Sequence, residues 1–152
     1  MRTRSDILVF DQNDRPILAI EVKTKVDASV DWANRLRRNI LAHDGMPDTE
    51  FFLIATPSRF FIWKNAGMDT LLNKPAGIID SGPLLAPYFD QIGVAPEDIS
   101  GSSFELIINS WLAEMIYSGI SPDQVNGSYQ WITKLGLQDA LKNGHLGQEV
   151  FA

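Results

Sequence analysis

The chain has 152 residues, 45% of them hydrophobic, and a mean hydropathy of −0.06, values typical of a single folded domain rather than a disordered protein. It contains no cysteine, which excludes disulfides and thiolate zinc sites and is typical of a cytoplasmic protein. The formal net charge of −6 argues against strong, non-specific DNA binding. The sequence also shows no apolar run near the ~20 residues that span a membrane.

The charge is distributed unevenly along the chain. Residues 1–43 contain eight Lys and Arg against six Asp and Glu, whereas the remaining residues contain five against thirteen. Basic side chains therefore collect in the first third of the chain. The two histidines, His43 and His145, are far apart in sequence, so a histidine-based zinc site has little support.

The first predicted element is a β-hairpin. Residues 7–10 (ILVF) and 17–22 (ILAIEV) are apolar, β-prone runs, and the intervening sequence DQNDRP is a cluster of turn formers. We expect Phe10 to pair with Ile17, which fixes the antiparallel register of the whole hairpin.

That register brings three charged residues together. Asp6 lies opposite Glu21, and because side chains alternate between the faces of a strand, Lys23 shares their face. Two carboxylates opposite each other repel, and a divalent metal ion between them would offset that repulsion. The alternative is that Glu21 and Lys23 form a solvated salt bridge at a sheet edge, with Asp6 at the start of its strand.

A helix and two further strands are predicted after the hairpin. Residues 30–43 form an amphipathic helix. Its apolar residues recur at a spacing of four, namely Trp32, Leu36 and Ile40. Residues 51–56 (FFLIAT) are predicted to form a buried strand, and residues 58–64 (SRFFIWK) a further strand.

The second half of the chain is predicted to be a connector followed by helices. Residues 75–103 are rich in Gly, Pro, Asp and Ser, with one brief helix over residues 84–92. The capping box Ser102-x-x-Glu105 predicts a helix from residue 104 to residue 118, ended by Gly119.

A short helical turn at residues 121–124 and a final helix over residues 129–142, closed by Gly144, are predicted next. The tryptophan-rich stripes of these helices are expected to pack in a core rather than to form a ligand cage. We divide the chain into a core (1–75), a connector (76–103) and a helical C-terminal extension (104–152) that packs on the core or on a partner chain.

The spacing from Asp6 to Glu21-Val22-Lys23 resembles the PD-(D/E)XK, or restriction endonuclease-like, nucleases. It is most similar to the nuclease domains of type I restriction enzyme R subunits and their stand-alone relatives. In that family the Asp opens the second core strand, E-x-K closes the third, and a helix and a fourth strand follow. The resemblance covers residues 1–66.

The resemblance implies an α/β fold, with a restriction endonuclease-like mixed central sheet flanked by helices and a C-terminal helical extension. It also implies a restriction- or defence-related nuclease that hydrolyses nucleic acid, DNA above all, with Mg²⁺ as cofactor and Mn²⁺ as a substitute. Asp6, Glu21 and the carbonyl of Val22 would hold the metal. Lys23 would orient the attacking water or help to deprotonate it.

Basic and amide side chains near the motif are the candidate contacts to nucleic acid: Lys25, Arg35, Arg38 and Asn39. Arg35 and Asn39 stand where many of the R-subunit relatives carry Gln-x-x-x-Tyr. The alternative for Arg35, Arg37 and Arg38 is that they solvate one face of the helix.

The first helix and strand of the family core are missing, because the chain begins five residues ahead of Asp6. We expect either that the chain is a fragment or that another chain or the C-terminal helices fill the gap. Two alternative functions stay open. One is a catalytically silent module that binds nucleic acid or a partner protein. The other is a homo-oligomerisation domain that uses the C-terminal helices.

Overall fold

The structure, a computed structural model, describes residues 6–43, 49–64, 74–118 and 130–147. Its elements in chain order are β1 (Ile7–Phe10), β2 (Pro16–Val22), α1 (Val30–His43), β3 (Phe51–Ala55), β4 (Arg59–Lys64), β5 (Gly77–Asp80), α2 (Gly82–Ile92), a 3-10 turn (Pro96–Asp98), α3 (Gly101–Ser118), α4 (Gln130–Lys134), α5 (Leu137–Leu141) and β6 (His145–Leu146). The strands form one mixed sheet in the order β5-β4-β3-β2-β1-β6, in which β2 and β3 are parallel and the other neighbours antiparallel. The α/β class is confirmed.

The hairpin has the predicted register over most of its length. Ile7 pairs with Ile20, Leu8 with Ala19 and Val9 with Leu18. The expected pairing of Phe10 with Ile17 is wrong, because a bulge after Val9 pairs Phe10 with Pro16 instead.

The shift at Phe10 follows from a compact turn built around Asp11. Its Oδ1 atom accepts hydrogen bonds from the backbone N–H groups of Asn13 (2.8 Å) and Arg15 (3.0 Å), and Asp14 takes a positive φ of 63°. The turn therefore closes one residue early and Pro16 joins the strand. The hydrogen bond from the Arg15 backbone is the main cause that lowers the pKa of Asp11.

Helix α1 is confirmed over residues 30–43 and is the crossover between the parallel strands β2 and β3. Ser29 caps it, because its Oγ atom accepts the N–H of Trp32 at 3.1 Å. Buried residues of α1 pack on one face of the sheet, which we call the α1 face. The buried apolar members of this cluster are Ala19, Ala28, Ala33, Ile40, Phe52, Ile54, Phe61 and Trp63.

The opposite face of the sheet is covered by the remaining helices of the same chain. Trp111 of α3 is 2% exposed, and its ring centroid lies 5.1 Å from that of Phe60 in β4 and 6.5 Å from that of Trp131 in α4. The prediction that these tryptophans serve the core is confirmed for Trp111. The segment predicted as a connector contributes β5 to the sheet and α2 to this core, and the helix expected over residues 84–92 is confirmed as α2.

Two predicted helix boundaries are wrong. Helix α3 begins at Gly101 because Ser100, rather than Ser102, caps it, its Oγ accepting the N–H of Ser103 at 3.2 Å. The single final helix is broken into α4 and α5 because Gly136 between them takes the left-handed conformation, with φ of 81°. The expected stop at Gly119, the turn at residues 121–124 and Tyr129 lie outside the described residues.

A short strand that the sequence did not predict, β6, pairs with the free edge of β1. Leu146 lies opposite Val9 and His145 opposite Phe10. Gly144 permits this close approach, because a Cβ atom there would lie 2.5 Å from the Phe10 carbonyl oxygen. His145 also stacks on the Phe10 ring, with centroids 5.7 Å apart. Among the helices in the described ranges, none has both the length and the apolar character to cross a membrane.

Candidate active site at the end of β2

Glu21 and Lys23 lie at the carboxyl end of β2, on the α1 face. Ala19 belongs to the α1-face cluster, and the alternation of side chains along β2 places Glu21 on the same face. Glu21 is 8% exposed. Lys23 follows the strand, and its Nζ atom lies 3.9 Å from Oε1 of Glu21.

Asp6 is joined to the same strand end by a hydrogen bond to the backbone. Its Oδ2 atom accepts the N–H of Val22 at 2.8 Å. The N–H and C=O groups of a strand residue point to the same side, so the Val22 carbonyl also faces the Asp6 side of β2. The four residues Asp6, Glu21, Val22 and Lys23 are therefore neighbours in the structure, as the hairpin register predicts.

The backbone around Lys23 is fixed on its other side by β3. The Lys23 N–H donates to the carbonyl of Ala55 at 3.0 Å, which continues the β2–β3 ladder one residue beyond the end of β2. The position of the lysine backbone is thus set by the parallel strand pair, whereas its 43% exposed side chain can reach solvent. The Lys23 ammonium can therefore approach a bound substrate while the Lys23 backbone keeps its hydrogen bond to Ala55.

The donor set is small. Within the described ranges, no group of three or more His, Cys, Asp and Glu side chains is placed to hold a metal ion. Mg²⁺ is commonly held by one or two carboxylates together with water and substrate phosphate. Asp6, Glu21 and the Val22 carbonyl fit that preference, and Asp6 keeps its Oδ1 atom outside the hydrogen bond to Val22.

The candidate contacts to nucleic acid lie on the same side of the sheet. The ammonium of Lys25 lies 5.8 Å from the centroid of the Trp32 ring. Arg35, Arg38 and Asn39 are exposed on α1, in positions that face away from the sheet. The structure thus leaves all four side chains accessible to a partner.

Arg37 differs from its neighbours on α1, and the idea that it solvates the helix face is wrong. It is 2% exposed, and its guanidinium carbon lies 5.1 Å from the centroid of the Trp63 ring in β4. Burial lowers the pKa of Arg37, because desolvation penalises the charged form. The sequence signal that could have revealed this is its helical spacing, four residues after the buried Ala33 and three before Ile40.

The contrast between Arg37 and Arg38 gives a matched pair of variants. We expect Arg37→Ala to lower the free energy of unfolding by about 2–4 kcal/mol, because it empties a buried site and removes the contact with Trp63. Arg38→Ala, on the exposed side of the same turn, should change it by less than about 0.5 kcal/mol. Urea unfolding followed by tryptophan fluorescence measures both. Equal effects in the two variants would contradict the burial of Arg37.

Comparisons of the chain with protein-family models, with curated proteins and with solved structures give no match.

Proposed function

We propose that this chain is a metal-dependent nuclease that hydrolyses phosphodiester bonds, with DNA as its substrate, in the cytoplasm. The observation that carries the proposal is the position of Asp6, whose carboxylate is bound to the Val22 backbone beside Glu21 and Lys23. Two acids that can hold a metal ion and a lysine that can offset negative charge, at one strand end, are suited to metal-assisted phosphodiester hydrolysis.

The order of elements supports the same proposal. Asp6 directly precedes β1, Glu21 and Val22 end β2 with Lys23 directly after them, and α1 leads to the parallel strand β3. This is the order in which the PD-(D/E)XK core places its second strand, third strand, helix and fourth strand. At the edge of β1, where that core would have its first strand, β6 from the C-terminal region pairs instead. On these grounds we propose the restriction endonuclease-like fold.

Each residue has a separate chemical task in this proposal. Asp6, Glu21 and the Val22 carbonyl would hold Mg²⁺, which supplies Lewis-acid stabilisation of the phosphate oxygens when bound. The hydrogen bond from Val22 orients the Asp6 carboxylate, and burial restricts the rotamers of Glu21. Lys23 orients the attacking water, takes part in its deprotonation and offsets the negative charge that develops on the phosphoryl oxygens.

Calorimetric titration with Mg²⁺ or Mn²⁺ tests the metal site. We expect the native chain to bind the ion, and Asp6→Asn to lose roughly tenfold or more of that affinity. Asparagine keeps an oxygen that accepts the Val22 N–H, so the variant removes charge and leaves the hairpin intact. Asp90→Ala, at an exposed position on α2, is the matched control and should bind as the native chain does.

A catalytically silent module that binds nucleic acid or protein is the second candidate. One observation favours it: each carboxylate already has a partner within the protein, Asp6 with Val22 and Glu21 with Lys23. Such pairs could persist without a metal. Native protein that releases no heat with either ion, and cleaves neither plasmid nor single-stranded DNA, would favour this candidate over the nuclease.

A further inference from the structure

Arg59 is a cation on the α1 face that the sequence did not single out. It is the first residue of β4 and is exposed, and the alternation along β4 places it on the same face as Phe61 and Trp63 of the α1-face cluster. Its Nη1 atom donates to the carbonyl of Ala28 at 3.1 Å, in the segment that enters α1. One donor of the guanidinium is thus tied to the protein.

The backbone of Arg59 is held by Thr56, which is fully buried. The Thr56 hydroxyl donates to the Arg59 carbonyl at 2.8 Å and accepts the Arg59 N–H at 3.0 Å. Ser81 secures the same turn, because its hydroxyl donates to the Thr56 carbonyl at 3.0 Å. These hydrogen bonds fix the backbone of Arg59 at the turn between β3 and β4.

Arg59 and Lys23 lie on either side of the carboxyl end of β3. Lys23 bonds to Ala55 and Arg59 to Thr56, the next residue along the chain. Two strand spacings separate β2 from β4, so the two backbones are ~10 Å apart. A nucleic acid whose scissile phosphate lies at Asp6, Glu21 and Lys23 would present a different phosphate of the same strand to Arg59.

Two further side chains lie on this β4 side of the site. The Trp32 ring packs edge-on against Phe61, with centroids 6.5 Å apart, and Phe61 is two residues from Arg59 on the same face. Lys25 lies over the Trp32 ring. The site is therefore extended towards β4 by two cations, Lys25 and Arg59, and by the aromatic ring of Trp32.

We infer that Arg59 is a phosphate-anchoring residue, and that the substrate strand runs from Glu21 and Lys23 across the end of β3 towards β4. This inference rests on the proposed function. A guanidinium has five N–H donors in a planar fork that matches two phosphate oxygens. The bond to Ala28 uses one of them and sets the orientation of the others.

The salt dependence of nucleic-acid binding tests this role. Dissociation constants for a single-stranded and a duplex oligonucleotide are measured by fluorescence anisotropy at several monovalent salt concentrations, with Ca²⁺ present in place of Mg²⁺. For Arg59→Ala we expect weaker binding and a slope of log K against log [salt] that is smaller by ~0.7 on single strands or ~0.9 on duplex. A loss of structure alone would remove binding without this defined change of slope.

Two further variants keep the test decisive. Arg59→Gln retains a donor for the Ala28 carbonyl and removes the charge, so its slope should fall by the same amount. Arg15→Ala, an exposed arginine of the hairpin turn at the opposite end of the sheet, should match the native slope. Native slopes in both Arg59 variants, with cleavage by the native chain intact, would overturn the anchor and leave the nuclease standing. A native chain that neither binds nor cleaves would overturn both.

Discussion

Replacing Lys23 by alanine is expected to reduce metal-dependent DNA cleavage by about 10²–10⁴-fold, the range typical of a lost general acid–base group. The fold should be unaffected, because the side chain is 43% exposed and its only described ion pair, at 3.9 Å to Glu21, is long. Its backbone bond to Ala55 remains in the variant. Plasmid and single-stranded substrates, each with Mg²⁺ and with EDTA, measure the effect.

Lys142→Ala is the matched control for this experiment, since Lys142 is exposed after α5 and far along the chain from the site. It should cleave at the native rate. Circular dichroism and thermal melting should be the same for both variants. Cleavage retained by Lys23→Ala at the native rate would refute the mechanism, and an equal loss in Lys142→Ala would show that the effect is not specific to Lys23.

Replacing Trp111 by alanine is expected to produce the largest loss of stability, about 3–5 kcal/mol in the free energy of unfolding. The ring is almost fully buried between Phe60 and Trp131, so its removal leaves a cavity that rigid sheet residues cannot fill. Domains of this size are stable by only about 5–15 kcal/mol, and the expected loss is a large share of that. In a domain of this length, a loss of that size should lower the midpoint of thermal unfolding by roughly 10 °C or more.

Two companion variants define the origin of that loss. Trp111→Phe should lower the free energy of unfolding by clearly less than Trp111→Ala does, because phenylalanine keeps most of the packing. It also removes an indole N–H that is buried without a hydrogen-bond partner among the described residues. Leu106→Ala, at a 68% exposed position of the same helix, should change stability by less than about 0.5 kcal/mol. If Trp111→Ala were no worse than Leu106→Ala, α3 could not be packed on the sheet as described.

Local sequence patterns were sufficient for the elements around the site. Helix α1 has a clear period of 3.6 residues, whereas the hairpin strands, β3 and β4 are short apolar, β-prone runs. The bounds of all these elements agree with the prediction to within one residue at each end. The neighbourhood of Asp6, Glu21 and Lys23 followed from the hairpin register and from alternation, because a register error confined to Phe10 and Pro16 does not move the other end of the hairpin.

Other features depend on contacts between distant parts of the chain. Arginine is ordinarily a surface residue, and the contact of the buried Arg37 with Trp63 on β4 joins two segments that are distant in sequence. Arg59 was overlooked for the same reason, since its partner Ala28 lies on the far side of α1 in the sequence. The break at Gly136, by contrast, has a local sequence signal. Glycine tolerates positive φ and often interrupts a helix.

The pairing of β6 with β1 has a consequence for the synthesis of the protein. A ribosome releases β1 first and β6 last among the described strands, so the edge of β1 stays open while the intervening residues emerge. Closing so long a loop is entropically costly and slow compared with forming the hairpin or α1. Until β6 pairs with it, the exposed edge of β1 can pair with other chains, so this edge is a site of possible aggregation during translation.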